Sequence, residues 1–184
     1  MTVKDVIKVQ AMLVGREDVV DYLSGKTNNP STVTLSATDV MVRCINLTIG
    51  ELANTYVPMI ASYVSSGSEV HFSDLPEQIS EVISVKDRAG SVKEYIFHPE
   101  KITGLSVGDV LEYSYIPPNY DLEDVIGYSE TQLPVRLLAY AGASEYCLTE
   151  RAFDESVMWR DRYINDLAIL IRPKNTKIKA RGWY

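Results

Sequence analysis

Residues 110–150 read "VLEYSYIPPNYDLEDVIGYSETQLPVRLLAYAGASEYCLTE", and the period of their apolar residues changes midway. That change decides the fold. "VLEYSYI" alternates, with Leu111, Tyr113 and Tyr115 on one face and Glu112 and Ser114 on the other, the pattern of a half-buried strand. Pro117-Pro118 stops it. After an acidic loop, Thr131 as a cap and Pro134 in the first turn open the helix "PVRLLAYAGASEYCLTE". This helix is apolar on most faces and is expected at the centre of the fold. Its Ala139, Ala141, Gly142 and Ala143 are small enough to let a neighbouring backbone approach closely.

Upstream, from Pro58 to Ile116, Val, Ile, Tyr and Ser dominate and are broken by Gly, Pro and Asp about every ten residues. These are strands, and with no helical segment between them they should be antiparallel. "ISEVISVKDRAGSVKEYIF" reads as a hairpin whose turn, Asp87 to Gly90, suits a type I turn with Gly90 left-handed. Farther back the period is helical. Thr2 and Asp5 form a capping-box-like start for Val6, Ile7, Gln10, Leu13 and Val14, stopped by Gly15. A short helix, "REDVVDYLSG", follows, and then the loop "KTNNPST". Ser36 and Asp39 repeat the capping spacing ahead of a helix of about five turns with Met41, Cys44, Ile45, Thr48, Leu52 and Tyr56 on one face.

Downstream, "FDESVMWRDRYINDLAILI" is amphipathic, with Phe153, Val157, Ile164, Leu167 and Ile171 expected inward and Glu155, Arg162 and Asp166 toward water. Pro173 ends it. The expected class is α+β: a helical bundle with an inserted small antiparallel β-sheet lobe and an extended C-terminal arm. The parts run as N-terminal helices over 1–56, the β lobe over 57–118, the C-terminal helices over 119–172 and the arm over 173–184.

The 184 residues are 46% hydrophobic and carry a net charge of −7. The charge is uneven: Arg172 to Tyr184 holds five basic residues and no acidic one, which leaves the rest of the chain at −12. Such a body does not grip phosphates. No run approaches the roughly 18 apolar residues of a membrane span. Met1 to Gly15 alternates charged and apolar residues where a secretory segment would be apolar, so a cytoplasmic chain without membrane association is expected. Cys44 and Cys147 lie far apart in apolar helical stretches, as reduced buried thiols do.

Motifs for chemistry are sparse. "SGKT" at Ser24 to Thr27 has the wrong spacing for a phosphate loop, since the first glycine would fall at Val20. His71 and His98 have no second ligand at metal spacing. "YDLEDVIGYSE" lacks the alternating oxygen ligands of a calcium loop, and Asn46-Leu47-Thr48 is a chance glycosylation match inside a helix. No catalytic residue, metal or cofactor is expected.

Taken in order, four segments resemble the head-tail adaptor (connector) proteins of tailed bacteriophages, and are similar to the tail tubular protein of short-tailed phages. They are "MVRCINLTIGELANTY" with its mid-helix Asn46, "LPEQISEVISVKDRAGSVKEYIF", "GDVLEYSYIPPNYDL", and "LLAYAGASEYCLTERAFDESVMWRDRYINDL" with Trp159, Arg162 and Tyr163. The resemblance spans about Ser36 to Tyr184 and rests on order and spacing. It implies a structural virion protein of the neck, made in the host bacterial cytoplasm. Such a subunit forms a homo-oligomeric ring, commonly a dodecamer, below the portal protein ring, and binds a tail or second neck protein beneath. DNA would pass through the channel without sequence-specific binding, helped by an acidic wall. In that family the C-terminal segment commonly docks on the portal or a neighbouring subunit, which here assigns Lys174, Lys177, Ile178, Lys179, Arg181, Trp183 and Tyr184 to docking. Asp87, Arg88 and Gly90 of the turn, with Tyr113 and Tyr115, are candidate subunit contacts, because a small sheet exposes edges that a ring can cover. The alternatives are a head-completion or tail-terminator neck protein and, in another class, a small enzyme or ligand-binding module.

Overall fold

The computed structural model describes residues 1–171. It is α+β, a helical bundle with a small antiparallel lobe inserted between its third and fourth helices. The bundle comprises α1 (Val3–Leu13), α2 (Glu17–Leu23), α3 (Thr32–Thr55), α4 (Val135–Thr149) and α5 (Phe153–Leu170). The capping box at α1 is complete: Thr2 accepts from the Asp5 backbone N–H, and the Asp5 carboxylate accepts from the Thr2 N–H.

α4 is the central helix, with α1, α3 and α5 all packed on it. Its Gly142 makes this possible. An added Cβ there would run into Ile45 of α3 and come within 3.0 Å of Gln10 Oε1 of α1. Gln10 is fully buried and donates from Nε2 to the Gly142 carbonyl at 2.9 Å, so α1 and α4 approach within reach of a side-chain to backbone bond.

Two helix starts differ from the expected ones. α3 begins at Thr32, where Ser31 accepts from the Thr34 N–H, so Ser36 and Asp39 lie inside the helix. α4 is entered directly from Pro134, without a cap from Thr131. The outer helix α5 departs further. It buries Ser156, Trp159, Tyr163 and Leu167, whereas Phe153, Val157, Ile164 and Ile171, expected inward, lie on the surface. Trp159 stacks on Tyr140 of α4 and is covered by the Arg162 guanidinium 4.8 Å from its ring centroid, so the aromatic face holds the helix.

In the lobe, β1 (Met59–Val64), β6 (Val110–Tyr115) and β3 (Ile79–Lys86) form one sheet in the order β1-β6-β3. β2 (Glu69–His71), β5 (Lys101–Thr103) and β4 (Ile96–Phe97) form a second, in the order β2-β5-β4. Val70 and Ile102 of the second pack with Val85, Leu111 and Tyr113 of the first to make the lobe's own core. The expected hairpin is reduced to a bridge between Lys86 and Val92. β3 instead pairs along its length with β6, through two register shifts.

Candidate interaction surfaces

The Asp87 to Gly90 turn forms as read. The Gly90 N–H donates to the Asp87 carbonyl at 2.9 Å, Gly90 has φ +83°, and Asp87 Oδ1 accepts from the Ala89 and Ser91 N–H groups. Arg88 is exposed but tied to its own lobe: Nε donates to the Val107 carbonyl at 3.0 Å, and the guanidinium lies over Gly108, whose φ is +90°. The turn is braced by a buried carboxylate. Asp109 Oδ2 accepts from Lys93 Nζ at 2.8 Å and from the Ser106 N–H at 2.7 Å, and these bonds hold its carboxyl below the usual range.

The two β6 tyrosines differ in exposure. Tyr113 is 0% exposed, and its hydroxyl donates to Glu77 Oε2 at 2.6 Å. This overturns Tyr113 as a subunit contact, because the side chain is spent on the lobe's own core. Tyr115 is half-buried where the lobe meets the bundle, packing against both cores. Its hydroxyl lies beside Gly127, and its strand is the central one of the sheet. Lys174, Lys177, Ile178, Lys179, Arg181, Trp183 and Tyr184 lie outside the described residues.

The acidic loop after β6 is fastened to the bundle. Asn46 of α3 bonds the Tyr120 backbone twice, while the loop's Asp124 and Leu122 carbonyls accept from Val3 and Lys4 at the start of α1. Tyr128 donates from its hydroxyl to the Val57 carbonyl at 2.6 Å. At the other end of the bundle, Arg16 donates to both oxygens of Asp18 and to the Tyr146 hydroxyl, and Asp18 also accepts from Thr34. The guanidinium holds the Asp18 carboxyl well below the usual range.

Among the described residues, three open surfaces stand out. The first is the apolar stripe of α5, where Phe153 is 62% and Val157 59% exposed. The second is the outer face and free edge of β1, with Ile60 and Val64 exposed and no proline, lysine or bulge to protect it. The third is a groove of about 890 Å³ between the outer face of α3 and the loop at Asn119 to Asp121. Sequence reasoning expected exposed sheet edges in general, without naming β1, and did not find the groove. The α5 stripe was visible as a pattern, but its side was assigned wrongly.

Among the described residues no group of three or more His, Cys, Asp or Glu could hold a metal ion. His71 Nε2 lies 3.4 Å from Glu69, and His98 Nε2 lies 3.3 Å from Thr103 Oγ1, each on the lobe surface. No described helix is long and apolar enough to cross a membrane. No protein-family model matches the chain, and no curated protein matches it.

Proposed function

We propose that the chain is a structural subunit of a tailed-phage virion neck, a head-tail adaptor that assembles as a ring below the portal. The observation that carries this reading is the open stripe on α5. An 18-residue helix is fixed to the bundle by one face while Phe153, Val157, Ile164 and Ile171 on the adjoining face stay in contact with water. An apolar face of that length calls for protein cover. A ring interface supplies it head to tail, the stripe of one copy meeting a different surface of the next. The order of segments, with an inserted lobe between α3 and α4, agrees with the resemblance in sequence.

The acidic body suits a channel through which DNA moves without sticking, since phosphates are repelled by it. The C-terminal segment from Lys174 to Tyr184 supplies the contact to the portal ring or to a neighbour, and the lower face meets the tail or a second neck protein. The test is assembly. Purified protein, alone and mixed with the portal of the same phage, should give closed rings in negative-stain micrographs and a complex on co-purification. A chain that stays monomeric at high concentration and ignores the portal sinks the proposal.

A further inference from the structure

The groove along α3 contains a glycine that its described neighbours do not require. Gly50 lies inside the helix Thr32–Thr55, where glycine weakens the helix relative to alanine. Yet a Cβ added at Gly50 would meet nothing within 4 Å. No packing among the described residues asks for the missing side chain. What its absence provides is a floor of bare backbone in the groove, which an extended chain can approach more closely than it could any other residue.

The walls state what kind of chain would lie there. Asp39, Glu51 and Asp121 contribute three carboxylates against the single cation of Arg43, while Val42 and Leu47 are apolar. The C-terminal segment is the complement: Lys174, Lys177, Lys179 and Arg181 without an acidic residue, interleaved with Ile178 and ended by Trp183 and Tyr184. Its reach is sufficient. Glu51 lines both the groove and the cleft that holds Arg160 and Tyr163 of α5, so the helix that delivers the segment borders the groove. The groove's helical wall from Glu51 back to Asp39 is about 18 Å long at 1.5 Å per residue. The thirteen residues after Ile171 span up to about 43 Å when extended.

We propose that the α3 groove floored by Gly50 is the seat of the Lys174–Tyr184 segment of the same subunit before any partner binds. Basic side chains lie against Asp39, Glu51 and Asp121, and the apolar residues lie along Val42 and Leu47. This goes beyond the ring reading and does not depend on it.

The experiment uses the full-length chain with a photo-crosslinking residue, Leu47→p-benzoylphenylalanine, and maps the joined peptides by mass spectrometry. The expected product links Leu47's position to a peptide within 177–184 on the same chain, running as a monomer on a denaturing gel. Adding Gly50→Trp, which fills the floor, should lower the yield at least tenfold with the thermal unfolding curve kept. Adding Asp39→Lys and Asp121→Lys should do the same without touching the helix core. Crosslinks to other segments, no crosslink, or an undiminished yield in the filled variants would overturn the inference. A product joining two copies would overturn the same-subunit seat. Whether rings form is read separately from micrographs of the same sample, so either proposal can fail alone.

Discussion

Asn46 and the backbone of Tyr120 exchange two hydrogen bonds, Nδ2 donating to the carbonyl at 2.9 Å and the Tyr120 N–H donating to Oδ1 at 2.8 Å. A side chain in the middle of α3 thus acts as a strand partner for the loop that follows the lobe. Asn46→Ala leaves both backbone groups of a buried residue unpartnered and should cost about 1–3 kcal/mol. Asn46→Asp keeps the acceptor, loses the donor and sets a carboxylate beside a carbonyl. Urea unfolding should rank the wild type above both, and the Tyr120 amide should exchange with solvent faster in each.

Two glycines inside helices should respond oppositely to the same change. Gly142→Ala drives a methyl into Ile45 and Gln10, and overpacking of this kind costs about 1–3 kcal/mol. Gly50→Ala meets nothing among the described residues and should stabilise the helix by about 0.5–1 kcal/mol through helix propensity. Paired thermal melts compare them directly.

The lobe should weaken in acid. Lys93 and then the Ser106 N–H depress the Asp109 carboxyl, and Lys86 and then Ser84 depress Glu112. Each folded value lies below the unfolded one, about 3.9 for Asp and 4.3 for Glu. Their stabilisation is therefore complete above those values and is lost as pH falls through the folded ones. Urea midpoints should hold between pH 7 and 5 and drop by pH 3. Asp109→Asn should begin lower and drop less.

Both thiols should be silent in the native protein. Burial first, then the nearby Glu145, pushes the Cys44 thiol up to about 12, and burial with Glu155 pushes Cys147 up to about 11. Alkylation at pH 8 should leave both unmodified and should label both in denaturant. Rapid labelling of the native protein would contradict their placement.

The α5 stripe should matter for association and little for folding. Phe153→Ser with Val157→Ser removes two exposed side chains, so the melting curve should stay within about 0.5 kcal/mol of wild type. If the proposed ring closes through this stripe, sedimentation should show wild type associating and the double variant staying monomeric. Retained rings would move the interface elsewhere.

The helices, the strand-rich middle and the Asp87 to Gly90 turn were legible because each is written in local periods and turn chemistry. The partner of β3 was not, because pairing with β6 joins residues far apart in the chain and no local pattern names that partner. The face of α5 was misread for a chemical reason. Phe153, Val157, Ile164 and Ile171 look more apolar than Ser156, Trp159 and Tyr163, yet the latter pack on α4. Flat aromatic rings meeting the small residues of α4 outweighed aliphatic character. Of the surfaces, the acidic groove combines α3 with a loop over 70 residues later, and only the folded chain brings them together.

The inserted lobe also sets an order of events during synthesis. Met59 and Tyr115 are paired neighbours, so everything between them can close upon itself as soon as β6 leaves the ribosome. The bundle cannot, since α3 must wait for α4 to cover its buried face. For the time needed to translate the roughly 80 residues between Thr55 and Val135, at about 5–20 residues per second, α3 has α1 and α2 but not α4 to pack on. The lobe can thus be complete while the bundle still lacks its central helix.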